Sequence, residues 1–186
     1  GAYLARRSSV LFDRCVFTNN SAEKGGGVFS VQSNSTFDGC TFVDNEGRYS
    51  GGGIYSADAS RTIANDCRFE RNRASYYGGA VYEYGSTSLI NKCDFERNRA
   101  TYKGGAVYNG YRGRSELVEC TFRTNYDDVS GGEATKVTAV APTGACVLTS
   151  GSCLTVSKQS CEDAAGTYQG DGVSCEAARA ARVTST

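Results

Sequence analysis

The sequence repeats one pattern of roughly 26 residues five times between Cys15 and about Gly132. Each copy contains Cys-x-Phe, and an asparagine follows the cysteine by five places. The repeated cysteines are Cys15, Cys40, Cys67, Cys93 and Cys120; the phenylalanines are Phe17, Phe42, Phe69, Phe95 and Phe122; the asparagines are Asn20, Asn45, Asn72, Asn98 and Asn125. Self-similarity at a fixed period of this length predicts a repeat protein, in which every copy folds alike and stacks on its neighbours.

A glycine pair follows in every copy, ten places after the first cysteine and eleven places after the other four. A valine or isoleucine and then an aromatic residue come next in the first four copies. These stretches are Gly25-Gly26 with Val28-Phe29, Gly51-Gly52 with Ile54-Tyr55, Gly78-Gly79 with Val81-Tyr82, and Gly104-Gly105 with Val107-Tyr108. The fifth copy has Ala134-Thr135 instead, as a terminal repeat often degenerates. We therefore expect the regular stack to end near Glu133.

Short alternating runs in each copy predict β-strands. The residue between Cys and Phe is mostly polar, so a period of two places Cys and Phe on one face. Each copy thus offers about three short strands and three bends, and identical coils stacked at about 4.8 Å pair in parallel as a β-solenoid. In that stack we expect the phenylalanines and cysteines to point inward and the asparagines to hydrogen-bond along a bend. The glycines supply positive φ angles or close approach at the next bend.

Two motifs of the repeats resemble a known family. Phe-x-x-Asn occurs in all five copies, and Gly-Gly-Ala-Val spans Gly78 to Val81 and Gly104 to Val107. Over residues 10–135 this pattern resembles the repeats of polymorphic outer-membrane proteins and related bacterial surface proteins. The resemblance implies an exported, right-handed parallel β-helix that serves adhesion and structure, and it brings no catalytic residues. We therefore expect an all-β chain with a right-handed parallel β-helix, a solenoid of about five coils, over residues 1–135.

Residues 136–186 differ from the repeats and are expected to form a small cysteine-rich C-terminal module and a tail. Its cysteines are spaced by 7, 8 and 14 residues, without the Cys-x-x-Cys pair that is typical of zinc sites. We predict two disulfides, with three pairings open, among Cys146, Cys153, Cys161 and Cys175. The stretch around Gly144-Ala145-Cys146 is similar to a Gly-Ala-Cys motif of secreted bacterial proteins, which carries no activity that we know of.

Charge and composition exclude several function classes. Twenty basic and twenty acidic residues balance, so nothing indicates a nucleic-acid partner. The chain has no histidine, the commonest acid–base group near neutral pH, and we expect neither metal nor cofactor. No apolar run reaches the roughly 18 residues of a membrane-spanning helix. Nine cysteines favour an extracellular or cell-surface location, and Gly1 without a preceding signal peptide favours a processed or partial chain.

The five repeat cysteines cannot all pair with one another, because their number is odd. Parallel Cβ vectors on adjacent coils also make disulfide geometry poor. We interpret these cysteines as buried free thiols that fill the core. The alternative is a redox or intermolecular role for Cys15 or Cys120, at the ends of the stack.

Aromatic residues recur once per coil and are candidates for a binding or assembly face: Phe29, Tyr55, Tyr82 and Tyr108. Further tyrosines come just before the glycine pairs, namely Tyr49, Tyr76-Tyr77 and Tyr102. An outward tyrosine column would make a flat ladder for sugar rings or for another subunit, so a glycan is a candidate partner. Alternatively, one column lies inward and the others merely cover a face. The repeated charges of Glu70-Arg71-x-Arg73 and Glu96-Arg97-x-Arg99 are interpreted as a solvated face.

Three functions fit these patterns. A solenoid has open ends with unpaired backbone groups, so we hypothesise an extracellular structural homo-oligomer that self-assembles head to tail into a filament or surface layer. The first alternative is a monomeric adhesin or carbohydrate-binding β-helix, and the second is a polysaccharide lyase or hydrolase fragment. We expect no enzyme, since these aspartates do not align in one column with a basic partner: Asp38, Asp44, Asp66, Asp94, Asp127 and Asp128.

Overall fold

The computed structural model describes residues 1–137, 143–148, 152–157, 161–162, 166–171 and 174–175. The chain divides into two compact units, Gly1–Lys136 and Val137–Thr186. The first unit is a parallel β-helix and the second contains a small antiparallel sheet. The predicted all-β fold class is therefore confirmed.

The strands of successive coils form four parallel columns, of which the first three have five members and the fourth has four. The first column holds β1 (Ala2–Leu4), β5 (Val28–Val31), β9 (Ile54–Ala57), β13 (Val81–Tyr84) and the start of β17 (Val107–Val118). The second column holds β2 (Ser9–Asp13), β6 (Asn34–Asp38), β10 (Arg61–Asn65), β14 (Thr87–Asn91) and the end of β17. The third column holds β3 (Val16–Thr18), β7 (Thr41–Val43), β11 (Arg68–Glu70), β15 (Asp94–Glu96) and β18 (Thr121–Arg123). The fourth column holds β4 (Ser21–Lys24), β8 (Glu46–Ser50), β12 (Arg73–Ala74) and β16 (Arg99–Ala100), while β19 (Val129–Val137) pairs with β17.

Two details differ from the sequence-based expectations. The coils contain four strands rather than about three, because the short segment between the asparagine and the glycine pair also forms a column. Arg73–Ala74, for example, pairs in parallel with Glu46-Gly47 on one side and Arg99–Ala100 on the other. In the third and fourth coils this strand has only two residues. Two residues are too few to show an alternating pattern, so the sequence did not reveal the fourth strand. In addition, β19 runs past the expected end at Glu133 to Val137.

Equivalent residues of successive copies lie in register on top of one another. Val28 pairs with Ile54, and Ile54 pairs with Val81. One apolar cluster extends through this unit and combines these aliphatic residues with the repeat phenylalanines and cysteines. The core is therefore built from columns of like residues, which is why the sequence must repeat.

Residues with positive φ mark the same bends in every coil. The first glycine of each pair is one of them, with φ of 63° at Gly78 and 66° at Gly104. The second glycine allows close approach, because a Cβ on Gly79 would lie 2.2 Å from the carbonyl oxygen of Gly105. Both roles predicted for glycine are thus confirmed. Two further bends use non-glycine residues, such as Asp66 just before a cysteine and Arg71 just before an asparagine.

The second unit contains a three-stranded antiparallel sheet of β20 (Thr143–Val147), β21 (Cys153–Ser157) and β22 (Thr167–Asp171), with β20 in the centre. Two disulfides join Cys146 to Cys161 and Cys153 to Cys175. These bonds select one of the three pairings that the sequence left open. The tail after Cys175 lies outside the described residues.

Candidate functional site

The five repeat phenylalanines form one continuous stack inside the β-helix. Neighbouring ring centroids lie 4.7, 4.8, 4.8 and 5.1 Å apart, and the ring planes are within 7° of parallel. The register of the third column causes this stacking, because each phenylalanine pairs with that of the next coil. A buried aromatic ring removes about 150–250 Å² from water, so this column holds the coils together.

The repeat asparagines form a hydrogen-bonded column at the bend between the third and fourth strands. The Asn72 amide donates to Asn98 Oδ1 at 3.0 Å and to the carbonyl oxygen of Phe42 at 2.9 Å. Asn72 Oδ1 accepts from both the side-chain amide and the backbone N–H of Asn45, at 2.9 and 3.1 Å. The same pattern recurs along the column, which gives the Phe-x-x-Asn motif a physical role in joining adjacent coils.

The repeat cysteines are all free thiols. Cys40, Cys67 and Cys93 are buried, whereas Cys15 and Cys120 are partly buried. The thiols donate to backbone carbonyl oxygens, as Cys93 does to Asn91 at 3.3 Å. Burial raises the pKa of Cys93, which keeps this side chain in the thiol form. The repeat cysteines pack in the apolar core cluster, where they act as small apolar side chains.

The aromatic residues that the sequence suggested as a binding or assembly face are largely buried. Tyr55 and Tyr82 are only 4% and 6% exposed, and Phe29 and Tyr108 are partly buried. These four rings, here called the inner aromatic column, lie on the outer side of the first strand column. Tyr77 packs against them, with its ring centroid 4.5 Å from that of Tyr108 and 6.3 Å from that of Tyr82. Burial raises the pKa of Tyr55 to about 12. The alternation within a strand places these rings outside the coil, but it does not show that a neighbouring bend covers them.

A second set of tyrosines is exposed and forms what we call the tyrosine row: Tyr49, Tyr76 and Tyr102. Their exposed fractions are 44%, 39% and 58%. Ring centroids lie 4.9 Å apart between Tyr49 and Tyr76 and 5.4 Å apart between Tyr76 and Tyr102. Backbone hydrogen bonds of 2.9 and 3.0 Å between these same residues fix the spacing. The sequence signal for the row was a tyrosine two places before the glycine pair in the three middle copies.

The candidate catalytic aspartates occupy structural positions. Asp44 accepts two hydrogen bonds of 2.9 Å from Arg71, and these bonds lower the pKa of the Asp44 carboxyl. Asp38 accepts from Asn65 at 3.2 Å, and Asp94 lies 3.6 Å from Arg123. Asp127 accepts a hydrogen bond from Gly104 N of the preceding coil, and Asp128 accepts one from Asn125 of its own coil. Asp66 stands at a bend before Cys67.

Within the described residues, no cluster of three or more Cys, Asp or Glu side chains could hold a metal ion. The part of the chain that the structure describes also contains no helix that is long and apolar enough to cross a membrane.

Glu83 is a fully buried carboxyl group that the sequence reading missed. It follows Ser30 and Ser56 in the first strand column and shares the inward face with Val81. Neither carboxyl oxygen has a hydrogen-bond partner, although the hydroxyls of Ser56 and Thr62 are close enough to influence it. Burial raises the pKa of Glu83 well above its usual range, so the folded protein retains this proton to higher pH. Because side chains alternate between the two faces of a strand, the inward position of Val81 predicts that Glu83, two residues later, also points inward.

The comparisons agree with this geometry. A family model described as a right-handed beta helix region matches residues 1–161. No curated protein and no solved structure matches the chain.

Proposed function

Because this chain belongs to the right-handed β-helix family, we propose that it is an extracellular or cell-surface structural protein of the adhesin type, whose tyrosine row holds a glycan. The observation that carries this proposal is the row itself, with three exposed rings in line at one per coil. The two disulfides support an oxidising, extracellular location.

The chemistry of the row suits a sugar surface. Contiguous exposed aromatic groups on a protein usually mark an interaction site. Tyrosine combines an apolar ring with a hydroxyl group that donates and accepts hydrogen bonds. A sugar has the same combination of apolar C–H groups and hydroxyls, so several consecutive sugars could contact Tyr49, Tyr76 and Tyr102 together. The rings are held by the backbone of a rigid solenoid, which limits the entropy lost on binding.

A glycan array tests this proposal. The probes are the intact chain, the double variant Tyr76→Ala/Tyr102→Ala and the control Tyr111→Ala, which removes an exposed tyrosine outside the row. We expect the intact chain and the control to bind the same glycans and the double variant to lose that binding. Equal binding by all three proteins, with unchanged far-UV circular dichroism, would rule out the tyrosine row as the site.

Head-to-tail self-assembly into a filament or surface layer is the second candidate function. The supporting observation is that successive coils already pair in identical register, as Phe42 does with Phe69 and Phe69 with Phe95. A coil of a second copy would therefore meet a template of matching residues. Electron microscopy over a dilution series, with and without reductant, distinguishes the outcomes. Filaments of constant width that survive dilution support assembly, and single compact particles at every concentration contradict it.

We also propose a finer classification. The repeats over residues 1–135 would form one domain of the polymorphic outer-membrane-protein type, and residues 136–186 a Gly-Ala-Cys module of secreted bacterial proteins. What supports the first part is that Phe and Asn of Phe-x-x-Asn meet between coils, as in the bond from Asn72 to Phe42. The right-handed β-helix family includes pectate-lyase-like enzymes and non-enzymes. We place this chain among the non-enzymes, and turnover of a uronate polymer by the purified protein would contradict that placement.

A further inference from the structure

The fourth strand column and the bend that follows it carry an excess of positive charge beside the tyrosine row. In the three middle coils, the segments 46–50, 73–77 and 99–103 contain four cations and one acid. The cations are Arg48, Arg73, Arg99 and Lys103, and the acid is Glu46. The whole chain has no net charge, so this excess is local.

None of these four cations forms an ion pair within the described residues. The adjacent third column also carries several arginines, but there they form ion pairs. Each arginine in or next to that column has an acidic partner within 4.0 Å: Arg68 with Glu70, Arg71 with Asp44, Arg97 with Glu96 and Arg123 with Asp94. Two neighbouring faces of one solenoid thus differ in how their arginines are neutralised.

Arg73 and Arg99 are direct neighbours in parallel register, and Glu46 is the neighbour of Arg73 on the other side. Strands in a sheet lie about 4.8 Å apart, and like charges placed opposite one another destabilise a sheet. Both arginines line a concavity of about 270 Å³ together with Ser75, Thr101 and Glu46. The residues next in the chain after Ser75 and Thr101 are Tyr76 and Tyr102 of the tyrosine row. The arginines, which form no ion pair, and the exposed rings therefore belong to one continuous surface.

We propose that the ligand of this surface is an anionic polysaccharide, an inference that rests on the proposed glycan-binding function. Arg73 and Arg99 would each donate paired N–H groups to a carboxylate or sulfate of the polymer, while Tyr76 and Tyr102 contact the sugar rings. A guanidinium group matches the geometry of these anions and remains charged at all physiological pH values. The ligand would neutralise the stacked arginines, which form no ion pair within 4.0 Å in the described residues and have Glu46, the register neighbour of Arg73, as the one acid beside them in the column.

Binding measurements with three immobilised polymers test this inference: polygalacturonate, dextran sulfate and neutral dextran. The test variant is Arg73→Gln/Arg99→Gln. The control Arg6→Gln/Arg7→Gln changes the net charge equally, at two exposed arginines on the turn between β1 and β2. The double variant Tyr76→Ala/Tyr102→Ala reports on the tyrosine row, and far-UV circular dichroism verifies that all variants fold.

We expect the intact chain to prefer a charged polymer over dextran, with an affinity that falls as salt is added. Loss of the Arg73 and Arg99 contacts should weaken that binding by about tenfold or more, since one charge-assisted hydrogen bond is worth roughly a factor of ten. The Arg6/Arg7 control should bind as the intact chain does. Preference for polygalacturonate or for dextran sulfate then identifies the anionic group as carboxylate or sulfate.

The failures are distinguishable. If the arginine variant binds all polymers like the intact chain, while the tyrosine variant loses binding, the anionic ligand is wrong and the glycan-binding row stands. Equal weakening by the Arg6/Arg7 control would show that only overall charge matters, which also overturns the inference. If the intact chain binds none of the three polymers, the anionic ligand is wrong, and the glycan array decides the proposed function separately.

Discussion

Replacing Asn72 with alanine removes the central member of the asparagine column. Four hydrogen bonds disappear, all of them buried: two that Asn72 Oδ1 accepts from Asn45, and two that the Asn72 amide donates to Phe42 and Asn98. The Asn45 backbone N–H then has no remaining partner of its own, and one amide proton of Asn45 loses its acceptor. Replacing Asn72 therefore leaves buried polar groups of Asn45 without hydrogen-bond partners, in addition to removing the Asn72 side chain itself.

The expected loss of unfolding free energy is about 3–5 kcal/mol, taking about 1–3 kcal/mol for each buried polar group left without a partner. Asn20→Ala is the matched control at the first coil. This change removes two hydrogen bonds: the one that the Asn20 amide donates to Asn45 Oδ1 and an exposed one that Asn20 accepts from the Gly1 amino group. Asn45 Oδ1 still accepts from the Asn20 backbone N–H at 3.2 Å. That variant should lose about 1 kcal/mol or less.

Urea unfolding followed by far-UV circular dichroism measures both values, and it suits a chain that has no tryptophan. The midpoint of Asn72→Ala should fall well below that of Asn20→Ala with little change in the slope of the transition. Equal midpoints for the two variants would contradict this prediction, because the asparagine column would then stabilise the fold no more at its buried centre than at its accessible end.

Three further outcomes are expected. Raising the pH above about 4.5 should destabilise the protein by up to about 1.4 kcal/mol per pH unit until the folded-state pKa of Glu83 is reached, because the folded state then binds more protons than the unfolded state. Glu83→Gln, which has no titrating proton, should lose this slope in pH-dependent unfolding curves. Cys93 should resist a thiol-labelling reagent in the native protein and react on unfolding, as mass spectrometry can follow; rapid native labelling would contradict its burial. Non-reducing peptide mapping should find the cross-links Cys146–Cys161 and Cys153–Cys175 and no other pairing in that unit.

The columns of the β-helix could be predicted because they depend on local pattern and repetition. A period of two places Cys67 and Phe69 on one face, and repetition at a near-constant interval stacks each on its counterpart. The bend glycines follow from the same reasoning, since only a residue without Cβ fits where Gly79 approaches Gly105. These inferences needed no knowledge of contacts between distant segments beyond the stacking of one coil on the next.

The candidate site was less predictable because exposure depends on which segments cover one another. Tyr82 points out of its strand, yet it is buried with Tyr77 of the adjoining bend packed against it, whereas Tyr76 in that same bend remains exposed. The arginines of Glu70-Arg71-x-Arg73 look alike in sequence. Arg71 forms an ion pair with Asp44 of the preceding coil, whereas Arg73 forms no ion pair and lies between Glu46 and Arg99 in its column. The disulfide pairing likewise requires three-dimensional proximity that spacing does not encode.

The central claim is that the exposed tyrosine row, and not the inner aromatic column, contacts a polysaccharide. Nuclear magnetic resonance of the protein labelled on its tyrosine rings, titrated with oligogalacturonate, tests this most directly. We expect the ring signals of Tyr49, Tyr76 and Tyr102 to shift in a saturable manner while those of Tyr55 and Tyr82 stay in place. Unchanged signals from the row at saturating ligand, or saturable shifts confined to tyrosines elsewhere such as Tyr3 and Tyr111, would contradict it.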